Sequence, residues 1–217
     1  MQHKLMAEAV GTLLLLATIA GSGIMGEMLA GGQVGAALLP HALAIGAMLF
    51  VLITLLGPVS GAHFNPAVTM IFTLRGDLPR REAVPYVIVQ ILAAIAGVWL
   101  AHLMFDLDIA QASAKSRTGI GQWSAEVVAT GGLIFVILGG LRQAPHLIPA
   151  MVGAYIFAGL WFTASTSFAN PAVTIARMLT DTFTGIMPVH APAFIAAQIV
   201  GALLGWQIAN LIFAEDP

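Results

Sequence analysis

Apolar residues run along this chain in long blocks, not in alternation and not in narrow helical stripes. Residues 5–25, 38–56, 83–105, 123–141, 148–163 and 191–213 each read as one block almost free of charge. A helix rises 1.5 Å per residue, so blocks of roughly 20 residues match a hydrocarbon core about 30 Å thick. Six membrane-spanning helices are therefore expected. Polar residues collect between the blocks, in a Gly-rich loop over 27–35, a charged loop over 75–82 and the longest connection over 106–121. Inside the blocks the polar interruptions are few: Glu8 with Thr12, Gln90, Glu126 with Thr130, and Gln198.

Composition agrees with the pattern. Of 217 residues, 59% are hydrophobic and 8% charged, against roughly 25% charged in a soluble domain. The chain reads as a single all-α membrane domain over residues 1–217, with nothing left over for a separate soluble one. A net charge of −2 gives no reason to expect nucleic acid as a partner. Cys is absent, which excludes disulfides and thiolate chemistry. Lys4 and the apolar run after it resemble a signal peptide. However, Glu8 interrupts that run, and the same local pattern returns in mid-chain, so a first span is expected.

That return is part of a repeat. Ala7-Glu8 with Thr12 is matched by Ala125-Glu126 with Thr130, and Gln90 by Gln198. Between them, Ser60-Gly61-Ala62-His63-Phe64-Asn65-Pro66-Ala67-Val68-Thr69 is matched by Ser165-Thr166-Ser167-Phe168-Ala169-Asn170-Pro171-Ala172-Val173-Thr174. Asn is a favoured helix N-cap, and Pro suits the first helical position. Each stretch is thus irregular backbone feeding a short half-helix, expected to end near Leu74 and Leu179. Irregular backbone at membrane depth survives only where protein buries it or where it lines a watery cavity. The copies cover about 1–110 and 120–217. Three spans per copy is an odd number, so the second copy inserts upside down and the two half-helices meet N-terminus to N-terminus. Lys4, the Arg75–Arg81 cluster and Arg142 fall on one side; Lys115, Arg117 and Arg177 fall on the other. This bias places both termini in the cytoplasm and the chain in the cell's inner (plasma) membrane, multi-pass. Small residues four apart, Ala93 with Gly97 and Gly201 with Gly205, allow close helix approach in lipid.

The paired Asn-Pro-Ala boxes, Ala-Glu-x-x-x-Thr opening each half and Ser-Gly-x-His before the first box resemble the major intrinsic proteins, the aquaporins and aquaglyceroporins. The resemblance covers the whole chain. It implies six spans and two re-entrant half-helices around a narrow pore, assembled as homotetramers with one pore per subunit. It implies a passive channel and no enzyme. Most members carry Arg directly after the second box, at the narrowest part of the pore; here that residue is Val173. By the same resemblance the other selectivity-filter positions are Ile45, twenty residues before Asn65, then Leu160 and Ser167. The stretch from Gly153 to Asn170 is about two residues shorter than usual, which leaves Gly159 and Ala158 as alternatives to Leu160. Val after the second box resembles the bacterial subgroup found with arsenic-resistance functions. The implied solutes are metalloid hydroxides such as arsenous acid, with methylated arsenicals; water or glycerol is the alternative.

The chemistry of the candidate residues leaves choices open. Asn65 and Asn170 either only cap their half-helices or also offer amide donors at the midplane. There two helix N-termini add roughly half a positive charge each, and cations are repelled. Glu8 and Glu126 are intramembrane carboxylates. Either they relay protons in a coupled transporter, or they accept backbone N–H groups from the irregular loops, which suits their symmetric duplication. His63 either lines the pore mouth or pins its loop. His41 and His102 sit near span ends and are expected at the interface. Arg177, four residues after Val173, either charges a vestibule or pairs with Asp181 a further four residues on. The four Trp read as belt and packing residues. The six His show no metal-ligand spacing, so no metal and no cofactor is expected.

Overall fold

The computed structural model describes residues 1–213; residues 214–217, the end of the second copy as read from the sequence, lie outside it. The long helices are α1 (Gln2–Leu29), α2 (Val34–Ser60), α4 (Arg80–Met104), α5 (Ile120–Gln143), α6 (Ile148–Phe162) and α8 (Ala191–Ile212). Two short ones, α3 (Pro66–Arg75) and α7 (Pro171–Arg177), follow the two Asn-Pro-Ala boxes. Short 3₁₀ turns at Pro145–Leu147 and Pro188–His190 lead into α6 and α8. The described residues thus hold six helices long and apolar enough to cross a membrane.

Most helices begin or end a few residues beyond the apolar blocks. α1 carries Glu27 in its last turn, α2 continues through Pro58, and α4 starts at Arg80. A charge ends the lipid-compatible stretch but not the helix, and Pro58 removes only one backbone hydrogen bond. α2 stops where Gly61 takes the left-handed conformation, φ 90°, and α3 stops the same way at Gly76, φ 89°. A residue without Cβ adopts this conformation at no steric cost. α7 is shorter than expected, closing at Arg177.

α1 packs on α2 and α4, α5 on α6 and α8, and α2 on α6 joins the halves. Small residues permit this. A Cβ on Gly46 would lie 2.8 Å from the carbonyl oxygen of Gly153, and one on Gly153 would lie 2.5 Å from that of Gly46. Gly201 and Gly205 of α8 sit directly on the backbone of Val127 and Gly131 of α5, and Gly97 of α4 on that of Leu13 and Ala17. In lipid such backbone-to-backbone contact, not apolar area, drives helix association. α3 and α7 are enclosed, each reaching a helix of the other half: α3 touches α8, and α7 touches α4.

A pore between two half-helices

Each half-helix is capped by its own Asn. Asn65 Oδ1 accepts from the backbone N–H of Ala67 at 2.9 Å, and Asn170 Oδ1 from Ala172 at 2.9 Å and Val173 at 3.3 Å. The same amides also reach across. Asn65 Nδ2 donates to the carbonyl of Ala169 at 2.7 Å, and Asn170 Nδ2 to that of Phe64 at 2.8 Å. The two N-termini are thereby stitched together. Each amide spends one of its two N–H groups on this cross-link, and both Asn line the central cavity.

The loops before the boxes are strained. Ala62, Phe64, Thr166, Ser167 and Ala169 all have φ between 47° and 60°, where non-glycine residues cost about 1–3 kcal/mol each. The two buried carboxylates hold them. Glu8 accepts from Ser60 Oγ at 2.7 Å, from the N–H of His63 at 3.0 Å, from the N–H of Phe64 at 2.7 Å and from Gln90 Nε2 at 2.8 Å. Glu126 accepts from the N–H groups of Phe168 and Ala169, both at 2.9 Å, and from Gln198 Nε2 at 2.6 Å. Gln90 and Gln198 each donate also to a half-helix threonine, Thr69 at 3.0 Å and Thr174 at 2.8 Å. With four donors converging on one carboxylate, little is left for carrying protons. His63 Nδ1 lies 3.1 Å from Thr69 Oγ1, and the residue lines the cavity.

The cavity runs past both boxes, from Phe72 and His63 at the α3 mouth to Thr166 and Arg177 at the α7 mouth. Ile45, Leu160, Ser167 and Val173 all stand on its wall. Leu160 is buried and lines it, whereas Ala158 is exposed on the other face of α6 and Gly159 packs against Ser167. Ser167 Oγ has no protein partner among the described residues.

Three expectations change. His41 and His102 are not interfacial. His41 is buried with Nδ1 2.8 Å from Ser22 Oγ, and His102 is fully buried between the carbonyl of Ile109 and Thr180 Oγ1. Their partners lie on other segments, so position along a span says nothing about them. Arg177 does not pair with Asp181, whose carboxylate accepts from the N–H of Ala114 at 2.9 Å. α7 has ended, so residue 181 is not one helical turn away. Arg177 is instead buried, with Nε donating to the carbonyl of Thr184 and Cζ 3.4 Å from the centre of the Phe168 ring.

Arg117 reads in the sequence only as a loop cation. It is buried, with Nε 2.8 Å from the carbonyl of Gly185 and Nη1 3.3 Å from that of Ser165. Lys115 Nζ donates to the carbonyl of Phe183 at 2.6 Å. Burial lowers Arg117 to about 10. Burial first, then the neighbouring guanidiniums of Arg117 and Arg177, lower Lys115 from its ordinary value. The one sequence signal for this cluster is that no carboxylate stands between Asp108 and Glu126.

Comparison with known proteins places this arrangement. The profile of the family described as Major intrinsic protein matches residues 1–169. The chain is 52% identical over 201 residues to "Aquaglyceroporin AqpS" of Rhizobium meliloti (strain 1021), covering 93% of this chain and 86% of that one. It is 36% identical over 232 residues to "Aquaporin Z" of Rhodopseudomonas palustris, covering 98% and 94%. The X-ray structure of the aquaglyceroporin from Plasmodium falciparum shares the fold, with TM-score 0.76 at 22% identity over 98% of this chain and 97% of that one. The chain belongs to the major intrinsic protein family and is a multi-pass membrane channel for small solutes, not an enzyme.

Proposed function

We propose that the channel passes small uncharged solutes larger than water, metalloid hydroxides such as arsenous acid foremost, with methylated arsenicals in the same class. The observation that carries this reading is Val173. It stands on the cavity wall directly after the second box, beside Ile45, Leu160 and Ser167. A guanidinium at that position would be a bulky planar donor set; valine leaves more room and an apolar surface. Such an opening suits solutes with some apolar surface better than a single file of waters. The cross-linked Asn65 and Asn170, with two helix N-termini behind them, repel cations. We place both termini in the cytoplasm by the Lys and Arg bias, which turns the α7 mouth outward, and assign the chain to the inner membrane as a homotetramer. An ordinary water or glycerol channel is the alternative, and the long match to a protein named Aquaporin Z favours it.

Stopped-flow light scattering on proteoliposomes decides between them, with water, glycerol and arsenous acid measured on one preparation. Wild type is expected to pass all three. Val173→Arg, once shown to assemble, is expected to lose the bulkier fluxes at least tenfold more than water flux, a difference of about 1.4 kcal/mol. Exclusion of arsenous acid by wild type, or equal loss of all fluxes in an assembled Val173→Arg, defeats the proposal.

A further inference from the structure

The two half-helices put equivalent positions on the cavity with different chemistry. Val68 and Val173 each follow a box and line the wall. Four residues on, the first copy has Phe72 and the second Arg177, and both of these line it too. In the first copy Phe72 lies against the His63 ring, 4.7 Å between centroids. In the second, Arg177 lies over the ring of Phe168. A ring and its partner are thus built at both mouths, but the guanidinium at the α3 mouth, Arg75, stands 5.8 Å from the Phe72 ring, is paired with Asp77 and does not line the cavity, whereas Arg177 does.

The direction of the side chain decides what that guanidinium can do. On a helix, long side chains lean toward the N-terminus and cover the turn before their own Cα. Arg177 therefore covers the turn that begins at Val173. Phe168, on which it rests, precedes Asn170 by two residues, which draws the charge inward toward the box. The bond from Nε to the Thr184 carbonyl is the one hydrogen bond of this side chain among the described residues. The terminal amino groups thus have no protein acceptor there. The grip itself is braced: Lys115 holds the carbonyl of Phe183 and Arg117 that of Gly185, on either side of Thr184.

We propose that Arg177 is a charge-selecting residue of the pore, acting at the α7 mouth in addition to the two half-helix N-termini. It supplies, from one turn further along α7, the guanidinium that position 173 lacks. The opening then combines the apolar side chains of Ile45, Leu160 and Val173 with the donors of Arg177 and Ser167 on one lining. The solute class that fits is a neutral molecule that carries acceptor oxygens and some apolar surface; cations are turned back. Arg117 and Lys115 are positioning residues for this group. The inference rests on the channel reading above and deepens it.

The absence of Cys from the chain makes the test clean. Val173→Cys and Val68→Cys are each reconstituted with Arg177 intact. The rates at which an anionic sulfonatoethyl and a cationic trimethylammonioethyl methanethiosulfonate block flux are then measured, each relative to its rate with a free thiol. Both positions feel a half-helix N-terminus, but only position 173 lies under Arg177. The anion-to-cation preference is expected to be about tenfold greater in Val173→Cys than in Val68→Cys, as one nearby unit charge at partial screening gives. Arg177→Gln is expected to admit potassium and protons several-fold faster than wild type, with Arg177→Gln/Val173→Arg restoring tightness. Equal preferences in the two cysteine variants overturn the proposal, and so does an assembled Arg177→Gln that stays as cation-tight as wild type. If Arg177→Gln does not assemble, the two cysteine variants decide alone. Absence of any neutral-solute flux in wild type defeats the channel reading instead, so the two failures are distinct.

Discussion

At the residue scale the most demanding group is Glu8. It is fully buried, and its two oxygens take four hydrogen bonds, two of them from backbone N–H groups of the loop. Glu8→Gln keeps the shape but replaces one acceptor oxygen with an N–H₂ group facing donors. Hydrogen bonds to a charged acceptor contribute about 1.5–3 kcal/mol each, and stranding a buried donor costs about as much. Glu8→Gln is therefore expected to destabilise the fold by about 3 kcal/mol or more and to lower the assembled fraction in detergent. Thermal unfolding followed by size-exclusion chromatography measures this; an unchanged midpoint would show that the loop is held by something else. The sequence made this residue conspicuous, because a carboxylate inside an apolar block is rare and its duplicate at Glu126 suggested a symmetric role. It could not show that His41, His102 and Arg117 are buried. Their partners, Ser22, Thr180 and the carbonyls of Ser165 and Gly185, are brought near only by folding.

At the element scale, helices were legible and their ends were not. Block edges mark where lipid stops, whereas helix ends are set by backbone events such as the left-handed Gly61 and Gly76. The early end of α7 had the largest effect, since it removed the expected pairing of Arg177 with Asp181. Contacts between elements were better anticipated. The small-residue spacing at Gly201 and Gly205 does mark the face of α8 that meets α5. A Cβ at Gly205 would fall on the Gly131 backbone, which cannot yield as a flexible side chain would. Gly205→Leu is expected to cost about 3 kcal/mol, the upper range for overpacking a close contact. Gly35→Leu, at a site with nothing within 4 Å of the added Cβ, is the control and is expected to change the thermal midpoint little. Similar midpoints for the two variants would mean that α5 and α8 can slide apart at no cost.

On the scale of the whole molecule, the duplicated boxes carried the architecture, because two interrupted elements in apolar surroundings have few ways to satisfy their backbones. The asymmetry between the halves was harder to see. Glu8 and Glu126, Gln90 and Gln198, and Asn65 and Asn170 occupy matched places, while Phe72 and Arg177 do not match in chemistry. That symmetry also bears on mechanism. A proton-coupled transporter needs a carboxylate free to change partners as the protein alternates between states. Here both carboxylates are bonded to the backbone that shapes the pore, and both Asn tie one half to the other across the middle. Releasing a proton acceptor would mean unbuilding the pore. Uptake of glycerol or arsenous acid by proteoliposomes is therefore expected to rise linearly with the concentration gradient. An imposed pH gradient of either sign is expected to leave its rate unchanged, because the driving force resides in the solute alone. Uptake against a gradient on acidifying one side, or saturation at low millimolar concentration with a rate set by that pH step, would return Glu8 and Glu126 to the role of proton carriers.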